Sequence, residues 1–240
     1  MRPSTVLPSA AGRRRPVLAP AVAAVLAATS LVACGRQHSD TVEPTRAPST
    51  QPPATADSPA AAALSAALLT TAQLPAGYVK TVLRNDPPMR SDRPGCLSSL
   101  NGLETSRSSR PGSVEARVTF AQSRSGPFLQ QVLRRLPGTQ ARQDLDRAAR
   151  TLSGCAGFSL GWKDGGTGTE QVVPHGPAGI GDASWHATVT ATTGTFTVQE
   201  TLVLVVVGRT LVVLSDAGSP TAPDRSRTLA LARTAASRIP

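Results

Sequence analysis

Apolar positions along this chain fall first at helical and then at strand spacing. Ser58-Pro59 sets a cap residue and a first-turn proline before AAAALSAALLTTAQ, predicted as a helix that closes at Leu74-Pro75. GYVKTVLR (77–84) alternates and is predicted as a strand, and PGCLSSLNGLE (94–104) as a short helix. SVEARVTFAQ puts Val114, Ala116, Val118 and Phe120 on one face and Glu115, Arg117 and Thr119 on the other, a half-buried strand. Leu129, Val132, Leu133 and Leu136 recur at i, i+3, i+4 and i+7, which predicts an amphipathic helix stopped by Pro137-Gly138. Leu145, Ala148, Ala149 and Leu152 repeat that spacing in a second helix.

After Cys155 the period becomes two. GFSLGWK, TEQVVP, DASWHATVTAT, TFTVQETLVLVVV and RTLVVLSD are predicted strands. Gly208-Arg209 joins the last two as a two-residue hairpin with glycine first, as a type II′ turn requires. LVLVVVGRTLVVL is apolar on both faces, which makes this hairpin central. Thr221-Ala-Pro-Asp224 resembles a capping box before a last helix with Leu231, Ala235 and Ile239 on one side. The expected class is α+β, a central antiparallel β-sheet with helices packed mainly on one face.

The first quarter of the chain follows other rules. Residues 1–33 have a basic start (Arg2, Arg13-Arg14-Arg15) and an uncharged run from Val17 to Ala33, the layout of a secretory signal. The run ends in Leu31-Val32-Ala33-Cys34-Gly35, which resembles the bacterial lipobox. That resemblance implies a lipoprotein signal peptide, a diacylglycerol on Cys34 and an anchor in the outer leaflet of the cell membrane, on its extracytoplasmic face. The alternative is an incidental cysteine beside an ordinary cleavage site. Residues 34–57 are dominated by Ser, Thr, Pro, Ala and Gln, and nothing there offsets the entropy of ordering, so a disordered tether is expected. Residues 58–240 are one domain's length.

Three cysteines in an exported chain need an explanation. With Cys34 lipidated, Cys96 and Cys155 remain as a pair for a disulfide, two free buried thiols being the alternative. Without the four arginines of the signal, 21 basic residues face 15 acids, a net charge of +6 against +10 for the whole chain. The arginines are scattered and there are seven aromatics, which excludes a nucleic-acid platform.

Candidate chemistry is sparse. Gly157-Phe158-Ser159-Leu160-Gly161 matches the G-x-S-x-G nucleophile elbow, and the order Ser159, Asp182, His186 is formally that of a triad. An elbow needs a strand before the serine and a helix after it. Here a helix precedes it, Trp162-Lys163-Asp164-Gly165-Gly166 follows, and the glycine-rich HGPAG (175–179) lies on the wrong side. No catalytic residue is assigned, and the chain is read as no enzyme. His175, His186 and Asp182 lack a tight metal-ligand spacing, so no metal or cofactor is expected. Asp144 and Asp146, two apart on a helix, do not face each other.

LLTTAQLPAGY (68–78), GCLSSL (95–100), AARTLSGCAGF (148–158), PAGIGDASWHATV (177–189) and VVVGRTLVVL (205–214), with the terminal helix, resemble the PknH-type extracellular sensor domain. That domain occurs on actinobacterial receptor kinases and on free-standing lipoproteins. The resemblance implies an α+β fold with a cleft between sheet and helices, and recognition of an extracellular ligand. The kinase-linked domain carries two disulfides, whereas this chain has cysteines for one, matching Cys96 and Cys155. No kinase domain is present, so any signal would pass through a partner. Two readings follow. One is a lipoprotein whose sensor-like domain binds a small or apolar ligand, in a pocket lined by Trp162, Trp185 or Phe196. The other is an envelope module that docks on a protein partner or cell-wall polymer through its surface.

Overall fold

The structure, a computed structural model, describes residues 58–82, 88–104 and 110–240. The expected signal peptide, Cys34 and the tether lie outside the described residues. Nine strands form one sheet: β1 (Val79–Thr81), β2 (Met89–Ser91), β3 (Val114–Ala121), β4 (Phe128–Arg135), β5 (Phe158–Trp162), β6 (Thr167–Gly176), β7 (Ala183–Thr193), β8 (Phe196–Val207) and β9 (Thr210–Gly218). Their order is β1-β3-β4-β9-β8-β7-β6-β5-β2, with every neighbouring pair antiparallel. Four helices accompany them: α1 (Pro59–Ala66), α2 (Pro94–Glu104), α3 (Gln140–Ser153) and α4 (Arg225–Ser237). The α+β class and the antiparallel sheet are as the sequence predicts.

The β8–β9 hairpin sits at the centre, with Gly208 at φ 56° in its turn. Leu202, Leu204, Val206, Leu211 and Val213 pack with α2 and α3, while Val203, Val205, Val212 and Leu214 pack with α1 and α4. The helices therefore cover both faces, two on each, where the sequence predicts them mainly on one. A central strand apolar on both sides has to be dried on both. The cover is unequal, however. On the second face α4 packs on β8 and β9 and α1 on β3, which leaves the side chains of β6 there exposed.

β4 is a correction, because its sequence was expected to form a helix. Leu129 and Leu133 point to one face and Val132 to the other, and all three are at most 1 % exposed. Between β3 and β9 a strand is buried on both faces, so its apolar residues need not alternate, and the i, i+3, i+4 spacing is then uninformative. The first helix is also shorter than expected. Ser58 Oγ accepts from Ala61 N (3.2 Å), but the helix stops at Ala66 and a 3-10 turn follows at Thr71–Gln73. Arg238, just past α4, donates to Ala66 O (2.8 Å) and Ala67 O (3.1 Å), and buried Gln131 Oε1 accepts from Leu69 N (2.7 Å). These tertiary bonds satisfy groups that a longer helix would satisfy internally. At α4 the cap is Asp224 itself, which accepts from Ser226 N and Arg227 N, and not the expected box opened by Thr221.

Candidate functional site

Among the described residues a concavity lies between α2 and α3, and the sequence builds both walls. Cys96, Leu97, Leu100 and Leu103 give α2 its buried face, and Ala141, Leu145, Ala148 and Leu152 give α3 its own. Cys96 is bonded to Cys155, which follows α3, with Cα atoms 5.9 Å apart and Cys155 fully buried. Arg93 Nη1 adds a bond to Gly154 O (2.8 Å). The start of α2 is thereby tied to the end of α3.

The other end of α2 is held by arginines. Arg134 donates through Nη1 to Gly102 O (2.6 Å) and through Nη2 to Leu103 O (2.9 Å), and Arg117 Nη1 donates to Glu104 O (3.4 Å). Cations there meet the orphan carbonyls and negative pole of a helix C-terminus. Glu115 pairs with both, at 2.8 Å from Arg134 Nε and in a shorter contact with Arg117. Burial opposes ionisation of Glu115, but the two guanidiniums outweigh it and hold the carboxyl below its usual range.

Between these fixed ends runs an open groove of about 410 Å³. Gly95, Ser98, Ser99 and Gly102 form the α2 wall, Arg147 and Thr151 stand on α3, and Leu103, Ala148 and Leu211 supply apolar floor. Asp144 is clamped by Arg110 Nη1 (2.6 Å) and Arg147 Nη1 (3.0 Å). The volume falls in the range of small-molecule sites, and the lining mixes an apolar floor with a few hydroxyls and one well-exposed guanidinium. Ser98 Oγ already donates to Gly95 O (3.2 Å).

No family model and no curated protein matches the chain. Among solved structures it is similar to the extracellular domain of PknH from Mycobacterium tuberculosis, with 15% identity and a TM-score of 0.53 over 73% of this chain and 94% of that one. It also aligns with an uncharacterized Mycobacterium smegmatis protein, the Rv0999 ortholog, at 12% identity and a TM-score of 0.38 over 70% of this chain and 92% of that one. The chain has the fold of the PknH extracellular domain.

Within this PknH-type fold the residues singled out in the sequence are dispersed. Ser159 lies inside β5, where its N–H donates to Asp92 Oδ1 (2.7 Å). It is level with Thr169 and Thr192, whereas His186 is six residues farther along β7, about 20 Å away. Asp182 Oδ2 accepts from Gly208 N (2.6 Å) at the central hairpin. The formal triad is not assembled. His175 and His186 do meet, with ring centroids 5.2 Å apart, because a bulge at Pro174/Gly176 shifts the β6–β7 register. Burial, then Arg225 and then His186 push the His175 pKa down. Asp144 and Asp146 go separate ways, Asp146 pairing with Arg142 at 3.0 Å.

The aromatic residues do not mark this groove. Trp185 is in the core, Trp162 packs at its margin, and Phe196 is 57 % exposed at the end of β8. The groove residues went unread in the sequence for two reasons. The small residues on the back of α2 carry no chemistry of their own. Arg134, meanwhile, falls within a segment whose spacing predicts a helix. The legible signal was Gly95, Ser98 and Gly102 at helical spacing, opposite Leu97 and Leu100. Among the described residues no three His, Cys, Asp or Glu side chains converge on a metal position, and no helix is long and apolar enough to cross a membrane.

Proposed function

We propose that this protein is an extracytoplasmic lipoprotein, anchored through Cys34, whose PknH-type domain binds a small amphipathic ligand between α2 and α3 without transforming it. The observation that supports ligand binding is the 410 Å³ groove whose α2 wall is pinned at both ends, by a disulfide to the end of α3 and by Arg134 and Arg117. A pinned wall limits the ordering cost of binding. The ligand's apolar part rests on Leu103, Ala148 and Leu211, and its polar group meets Arg147 and the hydroxyls of Ser98 and Thr151. The carboxylate in the lining, Asp144, is held by Arg110 and Arg147, and this supports binding over catalysis. The extracellular setting rests on the signal-like leader and on the fold shared with an extracellular domain.

Native mass spectrometry of the exported Cys34→Ala chain, followed by organic extraction, tests the groove. A retained small molecule that is lost in Gly102→Leu is expected. A Cβ at Gly102 meets nothing within 4 Å, so the larger side chain occupies the groove without disturbing the core. Retention unchanged by Gly102→Leu would move the ligand elsewhere, and a bare mass from an exporting host that makes the ligand would sink the reading. The anchor has its own check: Cys34→Ala releases the chain from the membrane fraction and removes the acyl mass, and unchanged fractionation contradicts it.

A further inference from the structure

The second sheet face carries a feature unrelated to the groove. Where α1 and α4 leave β5–β7 bare, outward side chains line up in rows across the strands. Register sets Ser159, Thr169, Thr192 and Thr197 in one row, Gln171, Thr190 and Gln199 in the next, and Val173, Thr188 and the buried Thr201 in a third. Thr192 and Thr197 share a hydrogen bond of 3.2 Å. Thr169, Gln171, Val173 and His175 are all exposed along β6. With strands about 4.8 Å apart and same-face residues about 7 Å apart, this is an array of hydroxyls and amides roughly 14 Å on a side.

Beside the third row the array meets the start of α4. There Thr188, Gln199 and Thr201 line a socket of about 220 Å³ with Ala222, Pro223 and Arg225. Glu200, between Gln199 and Thr201, also borders it, but shares the strand parity of Leu202 and Leu204, whose side chains lie on the other face. His175 Nε2 is 2.9 Å from Thr188 Oγ1 and 3.3 Å from Arg225 Nη1. At the opposite margin Arg90 pairs with Gly161 and is exposed. The rows hold no carboxylate. The nearest ones are engaged: Asp216, the register partner of Thr201, is buried and accepts from Thr228 and Arg227, while Asp92 accepts from Ser159 N and Asp224 from Ser226 N and Arg227 N.

We propose that this face binds an acidic glycan strand, with sugar hydroxyls on the Thr/Gln rows and an anionic substituent at Arg225. A polyhydroxylated chain loses many water bonds when it docks, and each hydroxyl left unpaired is costly, so a regular set of donors and acceptors is the complementary surface. Protein partners take their affinity from buried aromatic or arginine anchors in an apolar patch, and Val173 is the single apolar member of these rows. The cationic margins and the positive balance of the exported chain select an anionic polymer over a neutral one.

The test is biolayer interferometry of the full chain on immobilised polygalacturonate, with unsubstituted dextran as the neutral probe. Polygalacturonate is expected to bind at least about tenfold tighter than dextran. Thr190→Glu and Gln171→Glu, which put a carboxylate in the middle row, are expected to weaken it by about tenfold, and Arg225→Ala by about threefold. Thr190→Ser retains binding. Gln143→Glu, an equal charge change on exposed α3, leaves it within about twofold. If Thr190→Glu does not melt cooperatively, Gln171→Glu on the exposed strand decides. Binding of neither polymer, equal binding of both, or an equal loss in Gln143→Glu overturns the proposal. So does a dimer in sedimentation that Thr190→Glu dissolves, which would assign the face to a second copy of the chain.

Discussion

Breaking the Cys96–Cys155 bridge is the perturbation whose size follows most directly from the structure. The bridge closes a loop of 59 residues between the start of α2 and the end of α3. In the chain-entropy model, cross-linking a loop of that length removes about 4 kcal/mol of freedom from the unfolded chain. For a domain of about 180 residues the unfolding entropy near the midpoint is about 0.4 kcal/mol per degree, so the loss corresponds to about 10 °C in Tm. The assay is differential scanning calorimetry of the oxidised chain against Cys96→Ala, Cys155→Ala and the double variant at one scan rate. Cys155 is completely buried and Cys96 is 7 % exposed. A packing effect would therefore make Cys155→Ala the worse of the two, whereas a constraint on the unfolded chain makes all three variants equal. A fall of less than about 3 °C, or a clear ranking by burial, would refute the argument.

Two further predictions rest on buried groups and close approach. Burial and then the neighbouring Glu200 push the Glu170 carboxyl up to about 7 from 4.5, and burial followed by Glu104 raises Glu200 as well. Both groups hold their protons more tightly folded than unfolded, so the stability present below pH 4.5 is lost as pH climbs through 7. Urea unfolding at pH 5 and pH 8 is expected to show that fall, and Glu170→Gln to recover at most roughly 3 kcal/mol of it at pH 8. A flat profile in the native chain contradicts the assignment. At Gly181, with φ 63°, a Cβ would lie 2.4 Å from Val206 O, so Gly181→Ala is expected to cost upwards of about 2 kcal/mol in denaturant midpoint, and a neutral result would contradict this packing.

The local elements were legible wherever one face alone is buried. β3, with Ala116, Val118 and Phe120 against α1 and its partners Glu115 and Arg117 opposite, showed its alternation directly. The amphipathic α3 did the same through its own period, and the β8–β9 hairpin, apolar on both faces, showed itself by two β-branched runs around the Gly208-Arg209 turn. The disulfide was legible by counting, since setting Cys34 aside as the expected lipobox cysteine leaves one pair. β4 was not legible, because a strand apolar on both faces carries no alternation to betray it.

The candidate surfaces belong to another level. The sequence by itself determined the identities and the local periods: small residues on the back of α2, and mostly threonine and glutamine at alternate positions of β6 to β8. Only the tertiary structure decided that Arg134 and Arg117 meet at the end of α2, opening a groove against α3. It alone decided that strand register brings Thr169, Thr192 and Thr197 into one row while α4 stops short of covering them. Polar side chains at such positions are compatible with many neighbours, and no local energy selects among them. Which ones meet is set by the burial of Leu202–Val206 and Leu211–Leu214 in the central hairpin, because a one-residue slip there would turn every side chain to the opposite face.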